Sequence, residues 1–129
     1  MLNQKRILII GGLLAGLAVG LGAFGAHALK ALLLQNGRVD TYELATRYHI
    51  YHALALVILG ILYAKINSRT FRLSAWMFVA GILMFSGSLY VMAIFNTTQV
   101  ALITPLGGVC FLAGWILFAV AVAKAELKD

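Results

Sequence analysis

Four long apolar runs divide this 129-residue chain, and they constrain its fold more than any other feature. They cover approximately residues 7–29, 42–64, 72–95 and 104–124. A helix needs about 20 mostly apolar residues to cross the hydrocarbon core of a bilayer, and each run reaches that length. Because the connections are short, consecutive helices should be antiparallel neighbours. The sequence therefore predicts an all-α protein: a four-helix transmembrane bundle that forms one integral membrane domain over residues 1–129.

The composition agrees with a membrane protein. Hydrophobic residues make up 63% of the chain and charged residues 11%, against roughly 45–50% and 25% in soluble domains. The net charge of +6 comes from lysines and arginines spread over the ends of the apolar runs. Because no basic patch with interleaved aromatic residues is present, we expect no nucleic-acid partner. The single Cys110 cannot form an internal disulfide and is interpreted as a small buried thiol.

Charge bias predicts the orientation of the bundle. The side that holds both termini carries Lys5, Arg6, Lys65, Arg69, Arg72, Lys124 and Lys128, and the other side carries Lys30, Arg38 and Arg47. The positive-inside rule then predicts a multi-pass protein of the plasma membrane with both termini in the cytoplasm. The first run also has features of a secretory signal peptide, but its apolar region is longer than the roughly 7–15 residues of such a signal.

Local chemistry predicts where helices begin and end. Gly37 tolerates the left-handed conformation that ends a helix. Asp40 followed by Glu43 resembles a capping box and predicts the start of the second span. Ser68 is a candidate cap for the third span. Residues 30–35 either extend the first helix or form a short interfacial helix.

Small residues recur at positions that favour close packing of membrane helices. The predicted helix-packing residues are Gly12, Gly16 and Gly20 in the first span and Gly107 and Gly114 in the fourth. A second strip of small residues in the first span consists of Gly11, Ala15, Gly22 and Ala26. Two interpretations stay open: the glycines pack within their own bundle, or they make a subunit contact in a homo-oligomer.

Polar side chains concentrate in the outer half of each span. This predicted polar cluster consists of His27, Glu43, Arg47, Tyr48, His49, His52, Ser86, Ser88, Tyr90 and Thr104. Ionisable groups inside spans are costly and usually face the bundle interior or a water-filled cavity. The sequence therefore predicts an outward-facing polar pocket, or a set of polar side chains that fills it.

The second span is polar on two faces of its outer half. At about 100° per residue, Glu43, Arg47 and Tyr51 share one face, and Glu43 precedes Arg47 at the i,i+4 spacing that favours an ion pair. The histidines His49 and His52 lie on the opposite side. One of these faces is expected to meet the first span, and the other the third span or a second subunit.

The histidines suggest chemistry that the rest of the pattern does not support. Three histidines can bind zinc or copper, and two can clamp a haem, but no acidic or cysteine ligand is paired with His27, His49 and His52. Ser86 and Ser88 have no nucleophile motif around them. We therefore expect no catalytic residue, no metal and no cofactor. Of the functions considered, enzymatic activity has the least support from the sequence.

Four motifs resemble the YgdD-like family, a domain-of-unknown-function family of small four-helix membrane proteins. They are GAFGAHAL at 22–29, YHIYHALAL at 48–56, FSGSLY at 85–90 and ITPLGG at 103–108. The resemblance covers essentially the whole chain and implies a four-helix protein of the plasma membrane, without an established activity. The family motif positions are His27, Tyr48, His49, His52, Ser86, Ser88, Tyr90, Thr104 and Pro105.

Two functions follow as hypotheses for a chain whose first partner is the lipid bilayer. In the first, the polar cluster binds a lipid headgroup, a small solute or an ion. In the second, the chain is a structural or interaction subunit of a membrane complex, and the side chains of its polar cluster hold the helices together by hydrogen bonds to one another. An open cavity favours the first hypothesis, and a cluster whose members satisfy one another favours the second.

Overall fold

The computed structural model describes residues 2–126, and this part of the chain is entirely helical or irregular, without strands. The helices are α1 (Gln4–Ala26), α2 (Lys30–Asn36), α3 (Val39–Leu62), α4 (Arg69–Gly81), a π-helical segment (Ile82–Ser86), α5 (Gly87–Phe95) and α6 (Ile103–Ala123). Helices α4 and α5 continue through the π-helical segment as one rod. Four helices are therefore long and apolar enough to cross a membrane: Gln4–Ala26, Val39–Leu62, Arg69–Phe95 and Ile103–Ala123. The predicted all-α fold with four candidate spans is confirmed.

The spans pack as antiparallel neighbours. Helix α1 lies along α3, α3 lies along the α4–α5 rod, and α6 lies along α4 and the π-helical segment. Because α3 and α6 are joined mainly through the α4–α5 rod between them, a groove remains on one side where their side chains meet. The antiparallel arrangement follows from the short connections, because each of them returns the chain beside the span that it has just left.

Glycines on the facing sides of α1 and α3 let the two backbones approach closely. A Cβ atom on Gly11 would lie 3.0 Å from the backbone nitrogen of Val57, and one on Gly60 would lie 2.5 Å from the Leu8 side chain. A Cβ on Gly25 would overlap the Tyr42 ring. Small residues at a helix interface in lipid permit this van der Waals contact.

The predicted helix-packing glycines fall into two groups. Gly107 and Gly114 of α6 pack tightly, because a Cβ on either would overlap Phe85 or Phe78 of the neighbouring rod. Gly12, Gly16 and Gly20 are exposed, and a Cβ on any of them would meet no atom within 4 Å. Packing within the bundle is therefore carried by the other small-residue strip of α1, and the subunit contact stays a prediction for these three.

The apolar core runs between the four spans, with large aliphatic side chains on the outside. Phe71, Phe78, Leu56 and Leu59 are among its most buried members. The exposed apolar side chains, which a bilayer would cover, include Leu13, Leu17, Leu83, Leu106, Leu112 and Ile116. In lipid these outer side chains need no protein partner, since lipid tails are as apolar as leucine.

The helix boundaries confirm some predictions and correct one. Residues 30–35 belong to the separate short helix α2, which ends at Gly37 in the left-handed conformation with φ of 63°. The hydroxyl of Ser68 accepts a hydrogen bond from the backbone N–H of Phe71 and caps α4. The capping box at Asp40 is wrong, because the N-cap of α3 is Arg38, two residues earlier, and it makes no side-chain capping hydrogen bond.

The π-helical segment was not predicted from the sequence. The backbone N–H of Gly87 donates to the carbonyl of Ile82, five residues back, where an α-helix would use the carbonyl four residues back. Such a segment inserts an extra residue into the helix, and π-bulges occur frequently at functional sites. Here it re-aims Phe85 and Ser86, and both meet neighbouring helices.

Candidate functional site

Two serines of the predicted cluster are satisfied inside the bundle. The hydroxyl of Ser86 donates to the backbone carbonyl of Ala45 on α3, at 2.8 Å, and Ser86 is fully buried. The hydroxyls of Ser88 and Thr104 lie 2.5 Å apart and share a hydrogen bond between α5 and α6. Serine and threonine thus hold three spans together in the way that polar residues join membrane helices.

His52 is held in one tautomer by its two neighbours. Its Nδ1 lies 2.8 Å from the backbone carbonyl of Tyr48, which can only accept, so Nδ1 carries the proton. Its Nε2 accepts from the indole N–H of Trp115 at 3.1 Å. The ring is stacked on Phe111 with centroids 3.5 Å apart. Both ring nitrogens of this buried histidine are therefore used within the protein in its neutral form.

His49 is buried and has one free nitrogen. Its Nδ1 lies 3.1 Å from the hydroxyl of Tyr90 on α5, and the Tyr90 ring meets Tyr42 edge-on at 5.2 Å. The Tyr42 hydroxyl donates to the Leu21 carbonyl on α1 at 2.6 Å. His49 Nε2 is the one buried side-chain polar atom in residues 2–126 without a hydrogen-bond partner. Apart from this atom, the buried polar atoms of the cluster's side chains all have hydrogen-bond partners within the protein.

Three members of the predicted cluster lie outside it. His27, Glu43 and Arg47 are exposed, and none of their side chains makes a hydrogen bond or ion pair within residues 2–126. The suggested Glu43–Arg47 ion pair is absent there, although the spacing allows it. Tyr51, on the same face of α3, is 56% exposed. Of the two polar faces of α3, this one is exposed in the described chain, and its contact with a second subunit stays a prediction.

An open groove lies beside the closed part of the cluster, between α3, the π-helical segment and α6. Its volume is about 490 Å³, and its lining consists of Tyr48, His52, Phe85, Pro105, Gly108, Val109, Phe111, Leu112 and Trp115. Five of these nine residues have aromatic side chains, counting the imidazole of His52. Pockets of about 300–1,000 Å³ with a mostly apolar lining are typical of ligand sites.

The groove is held open by the packing behind it. A Cβ on Gly81 would overlap the Phe111 ring, and a Cβ on Gly107 would overlap the backbone of Phe85, so both glycines permit an approach that any other residue would prevent. Tyr48 contacts Phe85 with ring centroids 4.8 Å apart, and Phe78 contacts Trp115 at 4.9 Å. The walls are therefore rings fixed by their neighbours, while Tyr48 and Trp115 remain 37% and 44% exposed toward the outside.

The polar prediction found part of this groove and missed the rest. Tyr48 and His52 are among the predicted site residues, whereas Phe85, Phe111 and Trp115 are not. A usable signal was present in their spacing, since Gly108, Phe111 and Trp115 follow one another on one face of α6 at three- and four-residue steps. The described residues contain no group of three or more His, Cys, Asp or Glu side chains that could hold a metal ion.

Comparison with known proteins gives the chain a family. A family model described as "Protein of unknown function (DUF423)" matches residues 21–108. The chain belongs to the DUF423 family. It is similar to the UPF0382 membrane protein SAB0533 of Staphylococcus aureus (strain bovine RF122 / ET3-1), with 41% identity over 121 residues that cover 94% of this chain and 98% of the relative. No solved structure matches the chain.

A second relative agrees in length and description. The UPF0382 membrane protein YwdK of Bacillus subtilis (strain 168) is 40% identical over 122 residues, which cover 94% of this chain and 98% of the relative. The chain is thus a membrane protein of a family whose function is unknown, as the sequence motifs predicted. Its designation as YgdD-like stays a resemblance, and the orientation of its termini stays a prediction from charge bias.

Proposed function

We propose that this protein binds a membrane lipid, with one apolar chain of the lipid lying in the aromatic groove between α3 and α6. The observation that carries the proposal is the groove itself: a volume of about 490 Å³ walled by fixed aromatic rings, within the apolar length of two candidate spans. A π-helical segment supplies one of its walls through Phe85, which is a common setting for a functional site.

The length of the groove favours a lipid chain as its occupant. From Pro105 to Trp115, α6 rises about 15 Å, which is half of the roughly 30 Å hydrocarbon core. A groove of that length matches the chain of a lipid from one leaflet. Its polar groups also favour an apolar occupant, because the ring nitrogens of His52 are already engaged by Tyr48 and Trp115.

Arg47 is the cation placed to meet the headgroup of such a lipid. It lies one residue before the groove residue Tyr48 and about 100° from it around α3, so its long side chain would have to reach along the surface toward the groove, and it is exposed without an ion pair in the described part of the chain. Its guanidinium stays charged at any working pH and matches a phosphate in two-pronged geometry. In this proposal the predicted polar cluster has two roles: its inner members brace the groove, and Arg47 recognises the anion.

The proposal can be tested with one glycine variant in the groove and a second one as its control. A leucine at Gly108 would fill the groove without a forced clash, because its Cβ would lie 3.9 Å from Phe85, and Gly16→Leu is the matched control on an open face. In native membranes, a photoactivatable acyl lipid should crosslink to groove residues of the parent and the control. In Gly108→Leu, the same lipid should no longer crosslink to groove residues. Equal crosslinking of the groove and of the exposed face of α1 in all three proteins would refute the proposal.

A structural or interaction subunit is the second candidate, and one observation favours it. The exposed face of Glu43, Arg47 and Tyr51 lies within a candidate span and has no neighbour in the described chain. Since charged groups in spans are costly when they face lipid, a second subunit would stabilise this face by covering it. Crosslinking from a cysteine at Tyr51 would then yield a defined complex, whereas the lipid-binding proposal predicts none.

A further inference from the structure

A second cavity lies at the opposite end of the bundle, where α1 begins and α4 begins. Its volume is about 390 Å³, and it is lined by Leu2, Arg69, Arg72, Leu73 and Trp76. It shares no residue with the groove between α3 and α6. The charge bias of the sequence predicts that this end faces the cytoplasm.

The two arginines of this cavity have spare hydrogen-bonding capacity. Arg72 donates from one terminal nitrogen to the side-chain oxygen of Asn67 at 2.6 Å, which fixes the position of its guanidinium. Arg69 is exposed, and its guanidinium makes no hydrogen bond or ion pair within residues 2–126. No acidic side chain belongs to the described lining. Each guanidinium has five N–H donors, so most of these donors face the cavity or solvent.

The position of the arginines on α4 leaves the local charge uncompensated. They are the first and fourth residues of the helix, and the first turn contains no acidic residue. The helix dipole favours anions at this end and disfavours cations. The i,i+3 spacing also places both side chains on one face of the helix. An anion bound between the arginines would therefore relieve an unfavourable arrangement and gain two cationic partners.

The remaining lining identifies the kind of anion. Leu73 and Trp76, 44% and 49% exposed, continue the same wall into the apolar part of the span. Tryptophan is enriched at the level of lipid headgroups, and basic pockets at the ends of spans bind anionic headgroups. A soluble anion would gain nothing from this apolar wall, whereas a lipid would use both parts of the cavity.

We propose that this cavity is a binding site for an anionic phospholipid, in which Arg69 and Arg72 bind the headgroup phosphate and Trp76 contacts the start of the chains. Asn67 is a positioning residue, since it holds Arg72 in place. The site is independent of the groove proposed above, because it lies at the other end of the bundle and uses guanidinium groups rather than aromatic walls.

The test measures lipid binding to the full chain in detergent micelles by native mass spectrometry. Titration with phosphatidylglycerol should show saturable binding that the double variant Arg69→Gln/Arg72→Gln weakens roughly thirtyfold, because it removes the charge-assisted hydrogen bonds of both guanidinium groups to the phosphate. The double variant Lys65→Gln/Lys124→Gln is the matched control, because it removes two exposed cations at the same end. It should change the affinity less than threefold.

Further arms identify the source of the phosphate and exclude misfolding. Phosphatidylcholine should bind more weakly than phosphatidylglycerol, and millimolar inorganic phosphate should not displace the lipid. Gly108→Leu should remove at most a lipid bound in the groove, and the remaining binding should still depend on Arg69 and Arg72, which separates the two sites. The variant Arg69→Lys/Arg72→Lys, which keeps the charge and fold, should retain binding only in part. Three results would each overturn the proposal. They are an equal loss of lipid affinity in Arg69→Gln/Arg72→Gln and in the control Lys65→Gln/Lys124→Gln, equal binding of the two lipids, and displacement of the lipid by inorganic phosphate.

Discussion

The hydrogen bond between His52 and Trp115 makes a quantitative prediction about what holds the groove in shape. Trp115→Phe removes the indole N–H and leaves the acceptor nitrogen of a histidine that is only 5% exposed. A phenylalanine retains most of the ring contacts with Phe78 and Phe118, so the loss of packing is small. Side-chain hydrogen bonds between membrane helices average about 0.6 kcal/mol and reach about 1.7 kcal/mol. We expect Trp115→Phe to lower the free energy of unfolding by about 1–2 kcal/mol.

A double-mutant cycle isolates this hydrogen bond from the change in packing. The four proteins are the parent, Trp115→Phe, His52→Phe and the double variant, and their unfolding in mixed detergent can be followed by far-UV circular dichroism. The coupling energy between the two positions should be about 0.6–1.7 kcal/mol. His52→Phe alone should keep the stack on Phe111 while it frees the Trp115 N–H. A coupling energy of zero within error would refute the tautomer assignment and the closed wall of the groove.

The remaining predictions concern packing, the exposed face and topology. Gly107→Leu should destabilise the fold severely, because its Cβ would overlap the Phe85 backbone, whereas Gly16→Leu should preserve the melting temperature and alter only an oligomer, if one forms. Glu43→Gln should change the free energy of unfolding by less than about 0.5 kcal/mol, since the carboxylate is exposed and unpaired in the described chain; a loss above about 3 kcal/mol would mean a buried ion pair. An impermeant thiol reagent should label a cysteine at Gln99 in intact cells, and one at Lys65 only after permeabilisation; the reverse pattern would invert the topology.

The spans and several of their ends could be predicted because they depend on local chemistry. An apolar run long enough to cross a bilayer has few alternatives to a helix, since every backbone polar group must be satisfied within the segment. Ser68 caps α4 by accepting a hydrogen bond from the backbone N–H of Phe71, three residues later in the chain. Gly37 ends α2 because it adopts a positive φ. These features need no knowledge of which helix packs against which.

The partners of each face could not be predicted, because helical angles say which residues share a face and not what that face meets. The angles separated Glu43 and Arg47 from His49 and His52, and the structure keeps this separation, with the first pair exposed and the second buried. For α1 the same reasoning offered two glycine strips without deciding between them. The choice depends on the shape of α3, where Gly60 and Tyr42 meet Leu8 and Gly25.

The π-helical segment shows why the groove needed the structure as well as the sequence. In a regular α-helix, residues 78, 82, 85 and 89 would form one continuous stripe, and Phe85 would be one more apolar residue on it. The extra residue in the turn shifts this register, so that Ser86 reaches the Ala45 carbonyl on α3 while Phe85 lies between Tyr48 and Phe111. One hydrogen bond of the adjacent residue, Ser86, thus helps to fix Phe85 in the wall of the groove. Ser86→Ala would release this constraint at a cost of about 1 kcal/mol, and lipid crosslinking in the groove should weaken with it.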